Sequence, residues 1–283
     1  MSTADDSAEL REVTGPAALG GGTRRFFDLL WLLSVTEFKR TYFGTVLGYI
    51  WSLVRPLMLF AVLLFVFTRI FRIDIPYYPV ILLLGIVLFT FFQEASGQAV
   101  TSVVSQEGIV RKTQFPRLVI PLSLVLTGLM NLGLNLVAVF IFILAYGVDP
   151  MWTWLLLPIL ILLLTVLTTA VSMLLSALYV RFRDVEIIWS VLASVLFYAT
   201  PILYPIEIVK AQAPEYADFL LINPLAPIFE QARVWIIDPG APSAVEAAGG
   251  WLQMIPAAAI FLTICGLGWW VFNREAPRIA ESL

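Results

Sequence analysis

The chain has 283 residues, 60% of them hydrophobic and 13% charged, with a formal net charge of -3 and no histidine; a soluble domain carries roughly 45 to 50% and about 25%, so lipid is the implied solvent. Without imidazole, His-based acid/base chemistry and the usual zinc sites are excluded, and Cys265, the single cysteine, allows neither a disulfide framework nor a thiolate metal site. So small a net charge points to no partner by itself, and nothing in the pattern suggests nucleic acid.

In chain order, residues 1–22 carry Asp5, Asp6, Glu9 and Glu12 and end in Gly20, Gly21 and Gly22. They lack the basic start and apolar core of a secretory signal and read as a disordered cytoplasmic tail. Residues 24–42 follow, opened by Thr23 as a candidate N-cap. Phe26, Phe27, Leu30, Trp31, Leu33 and Phe38 recur there at helical spacing between charges at both ends. That pattern suits a helix lying in the cytoplasmic interface; the alternative is an N-terminal extension of the first span.

A hydrocarbon core of about 30 Å needs about 20 apolar residues of helix. Stretches that meet this run approximately over 45–70, 78–104, 118–146, 152–180, 185–203 and 251–272. The expected fold is therefore an all-α integral membrane protein with six transmembrane helices. Basic residues are retained on the cytoplasmic side. With the N-terminus inside, the inner segments hold Lys39, Arg40, Arg111, Lys112, Arg117, Arg181, Arg183 and Arg274 among others, and the outer ones hold Arg69, Arg72, Lys210 and Arg233. Both termini, including a short tail over 276–283, are expected in the cytoplasm, at the cytoplasmic (inner) membrane.

Two connections are unusual. The inner one, 105–117, contains Glu107, Arg111, Lys112, Phe115, Pro116 and Arg117; its charges alone also fit an ordinary positive-inside loop. The outer one, 204–250, is far longer and holds two apolar stretches, near 216–222 and 225–237, too short to span. Asn223 and Pro224 stand between them in the order of an N-cap and a first helical residue. Two short helices dipping into the outer leaflet are expected, with a small folded loop as the alternative.

No chemistry is evident. The sequence contains no Gly-Lys pair and hence no P-loop, no H-E-x-x-H and no G-x-S-x-G; no catalytic residue and no bound cofactor are expected. Intramembrane charges carry more information, because they are costly in lipid. Arg55 and Glu94 each fall about 15 Å from the cytoplasmic boundary at 1.5 Å per residue, on consecutive antiparallel spans. An interior ion pair between them is expected, against the alternative that Arg55 snorkels alone. Aromatic clusters near span ends suit interfacial belts, while Tyr49, Trp51, Phe197 and Tyr198 are candidates to stack on sugar rings along a glycan path.

Together the entry helix, the run from Tyr42 to Pro56, the loop from Gly108 to Arg117, Arg183-Asp184 and Asn223-Pro224-Leu225 resemble the type 2 ABC exporter permeases. They look closest to the branch that exports lipid-linked O-antigen, capsule or teichoic acid precursors, and the resemblance covers about residues 24–275. It implies a transport subunit, not an enzyme, with ATP and Mg held by a separate cytoplasmic ATPase. The entry helix and Glu107, Arg111, Lys112, Phe115, Pro116 and Arg117 would dock on that ATPase. Residues 205–237, with Asn223 and Pro224, would form outer gate helices, and two copies of the chain would line one pore with their first and fifth spans. Lys39 and Arg40 at the inner interface would meet a pyrophosphate headgroup, although both also serve as positive-inside anchors. A drug or small-lipid exporter of the same superfamily would share the architecture. A secondary transporter would need repeated halves, which are not seen.

Overall fold

The computed structural model describes residues 22–42, 48, 50–73, 75–106, 108 and 116–282. The expected tail over 1–21, Tyr49, Glu107, Arg111, Lys112 and Phe115 lie outside the described residues. No strand occurs among the described residues.

The entry segment forms one helix, α1 (Gly22–Tyr42). Gly48, with φ +51°, stands just ahead of α2 (Ile50–Phe65). A right-handed helix requires negative φ, so it cannot run through Gly48, and α1 and α2 are separate helices. Helix α1 lies along α4 through Leu30 and Ser34, where the Thr127 hydroxyl donates to the Ser34 carbonyl at 3.1 Å. Phe27, Trp31 and Leu32 are exposed, apolar surface that an interfacial helix offers to lipid.

Five described helices are long and apolar enough to cross a membrane: Ile50–Ile70, Tyr78–Ser105, Val119–Ala145, Trp152–Arg181 and Leu252–Glu275. The first is α2, continued by a π-helical turn over Val66–Ile70. The others contain α3 (Tyr78–Ser105), α4 (Val119–Ala145), α5 (Leu157–Arg181) and the greater part of the last helix, Ile255–Ser282. The chain is thus a multi-pass membrane protein. The stretch expected as a fifth span differs: α6 (Val185–Ala199) has 15 residues, about 22 Å at 1.5 Å per residue, short of the ~30 Å core. It stops because Thr200 turns extended, with ψ 140°, immediately before Pro201, and a residue preceding proline is pushed away from the helical region.

Helix α3 is the centre. Packed by α2, α4, α5 and α6, it buries Val80, Leu82, Ile86, Phe89 and Phe92 around its circumference, as a helix apolar on all sides must. Helix α4 ends in a Schellman motif, with Gly147 at φ +87° and the Val148 N–H bonded to the Ile143 carbonyl. The expected C-terminal tail is helical as far as Ser282.

The long connection after α6 folds into four short helices where two were expected: α7 (Ile206–Gln212), α8 (Pro214–Leu221), α9 (Ala226–Ile236) and α10 (Ala244–Ala248). The extra break is Ala213 ahead of Pro214, at φ -152° and ψ 69°. The last helix, Ile255–Ser282, is α11. Helix α9 rests on α3 and α5, and the turn before α5 holds its C-terminus: the Thr153 hydroxyl donates to the Trp235 carbonyl, and the Trp154 indole N–H to the Ile236 carbonyl at 2.9 Å.

Candidate functional site

Two groups of polar residues stand out in this apolar bundle. The first is a cavity of about 400 Å³ lined by Thr41, Trp51, Ser52, Arg55, Glu94, Gln98, Thr127 and Asn131. It lies where the end of α1 meets α2, α3 and α4. Arg55 and Glu94 meet there: Nη1 of Arg55 is 3.4 Å from Oε1 of Glu94. Counted from the first turn of α2 at Ile50, Arg55 is only about 8 Å along its helix, and Glu94 is about 17 Å from Ser105, so the charges meet without equal residue counts from those helix ends. The expectation of an enclosed pair is corrected in one respect. The Arg55 side chain is 80% exposed within the single chain and Glu94 34%, because α2 borders the bundle instead of entering its core.

The remaining candidates are divided. Trp51 shares the cavity with Arg55. Phe197 and Tyr198 do not; Phe197 packs edge-on against Phe89 with centroids 5.2 Å apart, and Tyr198 is exposed beside it. Tyr204 donates its hydroxyl to the Tyr198 carbonyl at 2.6 Å. Lys39 is exposed on the last turn of α1, and Arg40 pairs with Glu37 at 3.0 Å, so the two flank the cavity without lining it. Pro116 and Arg117 form the turn into α4, their carbonyls accepting from the Val119 and Ile120 N–H groups.

Asn223 is not the N-cap of a helix begun by Pro224. Helix α9 starts at Ala226, and Asn223 organises the turn before it: its Oδ1 accepts from the Leu225 N–H at 3.0 Å and its Nδ2 donates to the Thr200 hydroxyl at 2.8 Å. Binding Thr200, at the end of α6, gives the amide more than a local cap would offer. Pro224 lies on an apolar groove of about 400 Å³ between α6, α11 and the α8–α9 turn.

The second polar group was not singled out from sequence. Arg233 on α9, its side chain 9% exposed, has both Glu207 carboxylate oxygens of α7 2.9 Å from Nη1. Glu230, one turn back on α9, lies 3.7 Å away, and Asp238 3.9 Å from Nη2. Glu230 is 2% exposed, and burial pushes its carboxyl up to about 7, Arg233 opposing the rise. The available signal was two charges at i,i+3 inside the apolar stretch 225–237. For the cavity, the polar residues Gln98, Thr127 and Asn131 lie inside long spans where hydropathy averages hide them.

Known proteins bear on both groups. The family model described as ABC-2 type transporter matches residues 28–237, from α1 through the last residue before Asp238. The chain is 30% identical over 258 residues to an O-antigen export system permease protein RfbA of Klebsiella pneumoniae, covering 91% of this chain and 95% of the relative. It is 28% identical over 259 residues to the protein of that name from Myxococcus xanthus, with 92% and 96% covered. It is also 26% identical over 202 residues to the polysialic acid transport protein KpsM of Escherichia coli, with 69% and 76% covered. The matched region takes in every residue lining the cavity, most of α1, and Glu207, Glu230 and Arg233 of the charge cluster, and the chain belongs to the ABC-2 type transporter family.

Proposed function

We propose that this chain is the membrane-spanning permease subunit of an ATP-driven exporter moving a lipid-linked polysaccharide, such as an O-antigen, capsule or teichoic acid precursor, across the cytoplasmic membrane. The observation that carries the reading is end-to-end similarity to relatives named as O-antigen export permeases, over 91% of this chain and 95% of the relative in one case. The relative named for polysialic acid transport points to the same broad substrate class, a polysaccharide.

The assignment is physically coherent. A glycan needs water-like partners inside the membrane, and the cavity offers a carboxylate, a guanidinium, two amides and hydroxyls with one indole face from Trp51. Sugar hydroxyls exchange hydrogen bonds with such groups, and sugar C–H faces stack on indole. Lys39 and Arg40, exposed at the adjacent end of α1, supply positive charge for a pyrophosphate headgroup.

Energy comes from a separate ATPase subunit carrying ATP and Mg, docked on α1 and on the 105–117 connection through Glu107, Arg111, Lys112, Phe115, Pro116 and Arg117. Two permease copies with two ATPases form the working assembly. Both termini face the cytoplasm, α6 completes a sixth crossing together with the segment that follows it, and α7 to α9, with Asn223 and Pro224, act as the outer gate.

The test is reconstitution. Tagged chain should copurify with an ABC ATPase, raise its ATP hydrolysis in lipid, and support ATP-dependent movement of a lipid-linked glycan into inverted vesicles. Isolation as an active, ATP-independent transporter would sink the proposal, and stimulation by small amphiphiles with no effect of glycan would move it to a drug or small-lipid exporter.

A further inference from the structure

The charge cluster of the outer connection is a poor stabiliser as it stands. Three carboxylates, Glu207, Glu230 and Asp238, converge on one guanidinium. Both Glu230 oxygens are buried with no hydrogen-bond partner, and so is Nε of Arg233. The Ile206 N–H adds a weak attraction but does not close a hydrogen bond of ordinary geometry. An ionised carboxylate in that position is destabilising unless better paired. A protonated one is a neutral group beside a cavity of about 20 Å³, room for a single water.

The cost also depends on where α7 sits. The Arg233 to Glu207 contact is the ion pair between α7 and α9, and Pro205, next to the start of α7, helps close the cavity over Glu230. Were α7 to swing away, Glu207 and the Pro205 wall would leave together and Glu230 would become hydrated. We propose that Glu230 is a proton-operated latch: α7 stays seated on α9 while Glu230 carries a proton, and ionisation of Glu230 favours release of α7 from Arg233.

The charges facing Glu230 are accounted for element by element. From α7 come Glu207 and Lys210; from α9 itself, Arg233; from the turn after α9, Asp238. The α3 residues in the cavity wall are apolar, as is Phe229 of α9. On the other neighbours of α9, Glu246 of α10 is exposed and bound to Ser243, and Glu215 and Asp218 of α8 are exposed. With α7 seated, Glu230 holds its proton up to about pH 7. Hydrated, it reverts toward the ordinary carboxylate value of about 4.3. The seated form therefore binds more protons between those values, and its advantage is lost as pH rises through about 7.

Spin labels at Gln212 of α7 and at Leu155 in the turn below α9, both exposed, would report the movement in a Cys265→Ser background. The full chain is placed in lipid nanodiscs at pH 5.5 and 8.5 without nucleotide, partner or glycan, so the outcome is independent of the exporter assignment. The expected result is one short distance at pH 5.5 and a longer, broader population at pH 8.5, the seated-to-released ratio falling roughly thirtyfold. Glu230→Gln, an isosteric stand-in for the protonated acid, should keep the short distance at both pH values, and Glu207→Gln should lengthen it at both. Wild-type distributions that coincide at the two pH values, or a pH shift that persists in Glu230→Gln, would overturn the latch.

Discussion

Gly268 shows how a single residue fixes the packing of this bundle. A Cβ there would press into the Ala170 carbonyl oxygen, with the carbonyl carbon 3.0 Å away, and backbone cannot yield as a side-chain tip can. Helix α11 packs along α5 at this point, and in lipid such close approach of small residues is a main source of helix association. Gly266, two residues earlier, has nothing within 4 Å of the same construction. Gly268→Val should lower stability by about 1–3 kcal/mol, the usual range for overpacking, and Gly266→Val should change it far less. Thermal unfolding in one detergent, read by tryptophan fluorescence, separates the two. Equal effects would mean that the contact does not matter.

Arg55 and Glu94 make the complementary case, in which charge rather than shape decides. At 3.4 Å with Arg55 largely exposed, the pair is worth about 0–1 kcal/mol in water. Its significance lies in what removing one member leaves behind. Glu94→Ala strands a guanidinium at membrane depth, and Arg55→Ala leaves a carboxylate facing a cavity with no counter-ion within reach of Glu94 among the lining residues. Each single change should depress ATP-driven transport several-fold, and the swap Arg55→Glu with Glu94→Arg should recover a measurable part. A swap no better than either single would rule out pairing as the reason for both.

Among the elements, the connection after α6 depends most on side-chain hydrogen bonds, because its helices are too short to hold themselves. Asn223 ties the end of α6 to the start of α9 through Thr200 and Leu225. Asn223→Ala should cost about 1–2 kcal/mol for two lost hydrogen bonds in a partly buried site and speed amide exchange over residues 222–228. Asn223→Asp, which keeps the acceptor for Leu225 but not the donor to Thr200, should fall between. Exchange in Asn223→Ala indistinguishable from wild type would refute this role.

The same segment marks where sequence stops being legible. Long spans such as 78–104 and 118–146 lie within one or two residues of α3 and α4, since twenty apolar residues in lipid have little choice but helix. Residues 185–203 carry the same composition, yet α6 ends at Ala199. The constraint is local, a threonine and a proline that hydropathy averaging absorbs. Of the polar cavity, Arg55, Glu94 and Trp51 were visible as charges or aromatics at suspicious depth. Asn131, Gln98 and Thr127 were not, because an amide or hydroxyl in a span can bond to its own helix and leave no mark in composition. The Arg233 cluster needed α7 folded against α9, a contact across 26 residues that periodicity cannot report.

At the scale of the whole molecule, the unevenness of burial is itself an argument about assembly. Helix α3 has 72% of its spanning window buried, while the spans containing α2 and α11 have 11% and 17%. The two thinly covered helices differ in kind. The exposed spanning positions of α11 are mostly apolar, among them Ile260, Leu262 and Leu267, the exposed Thr263 hydroxyl is spent on the Ala259 carbonyl of its own helix, and Arg274 is held over the Trp270 ring at 5.2 Å near the helix end, a surface suited to lipid and its interface. Helix α2 exposes Met58, Leu59 and Val62 beside an Arg55 that is 80% exposed. A guanidinium there would be expensive against hydrocarbon, so that flank belongs against water or protein, as it would if a second copy faced it across a pore. Single cysteines in a Cys265→Ser background test the distinction in native membranes. Met58→Cys on α2 and Val191→Cys on α6 should form disulfide- or short-linker-bridged dimers under mild oxidation, whereas Ile141→Cys on α4 and Leu262→Cys on α11, equally exposed in the single chain, should not. Crosslinking that favoured α4 or α11 would place the second copy elsewhere and return the α2 flank to lipid, leaving Arg55 to snorkel to the headgroups.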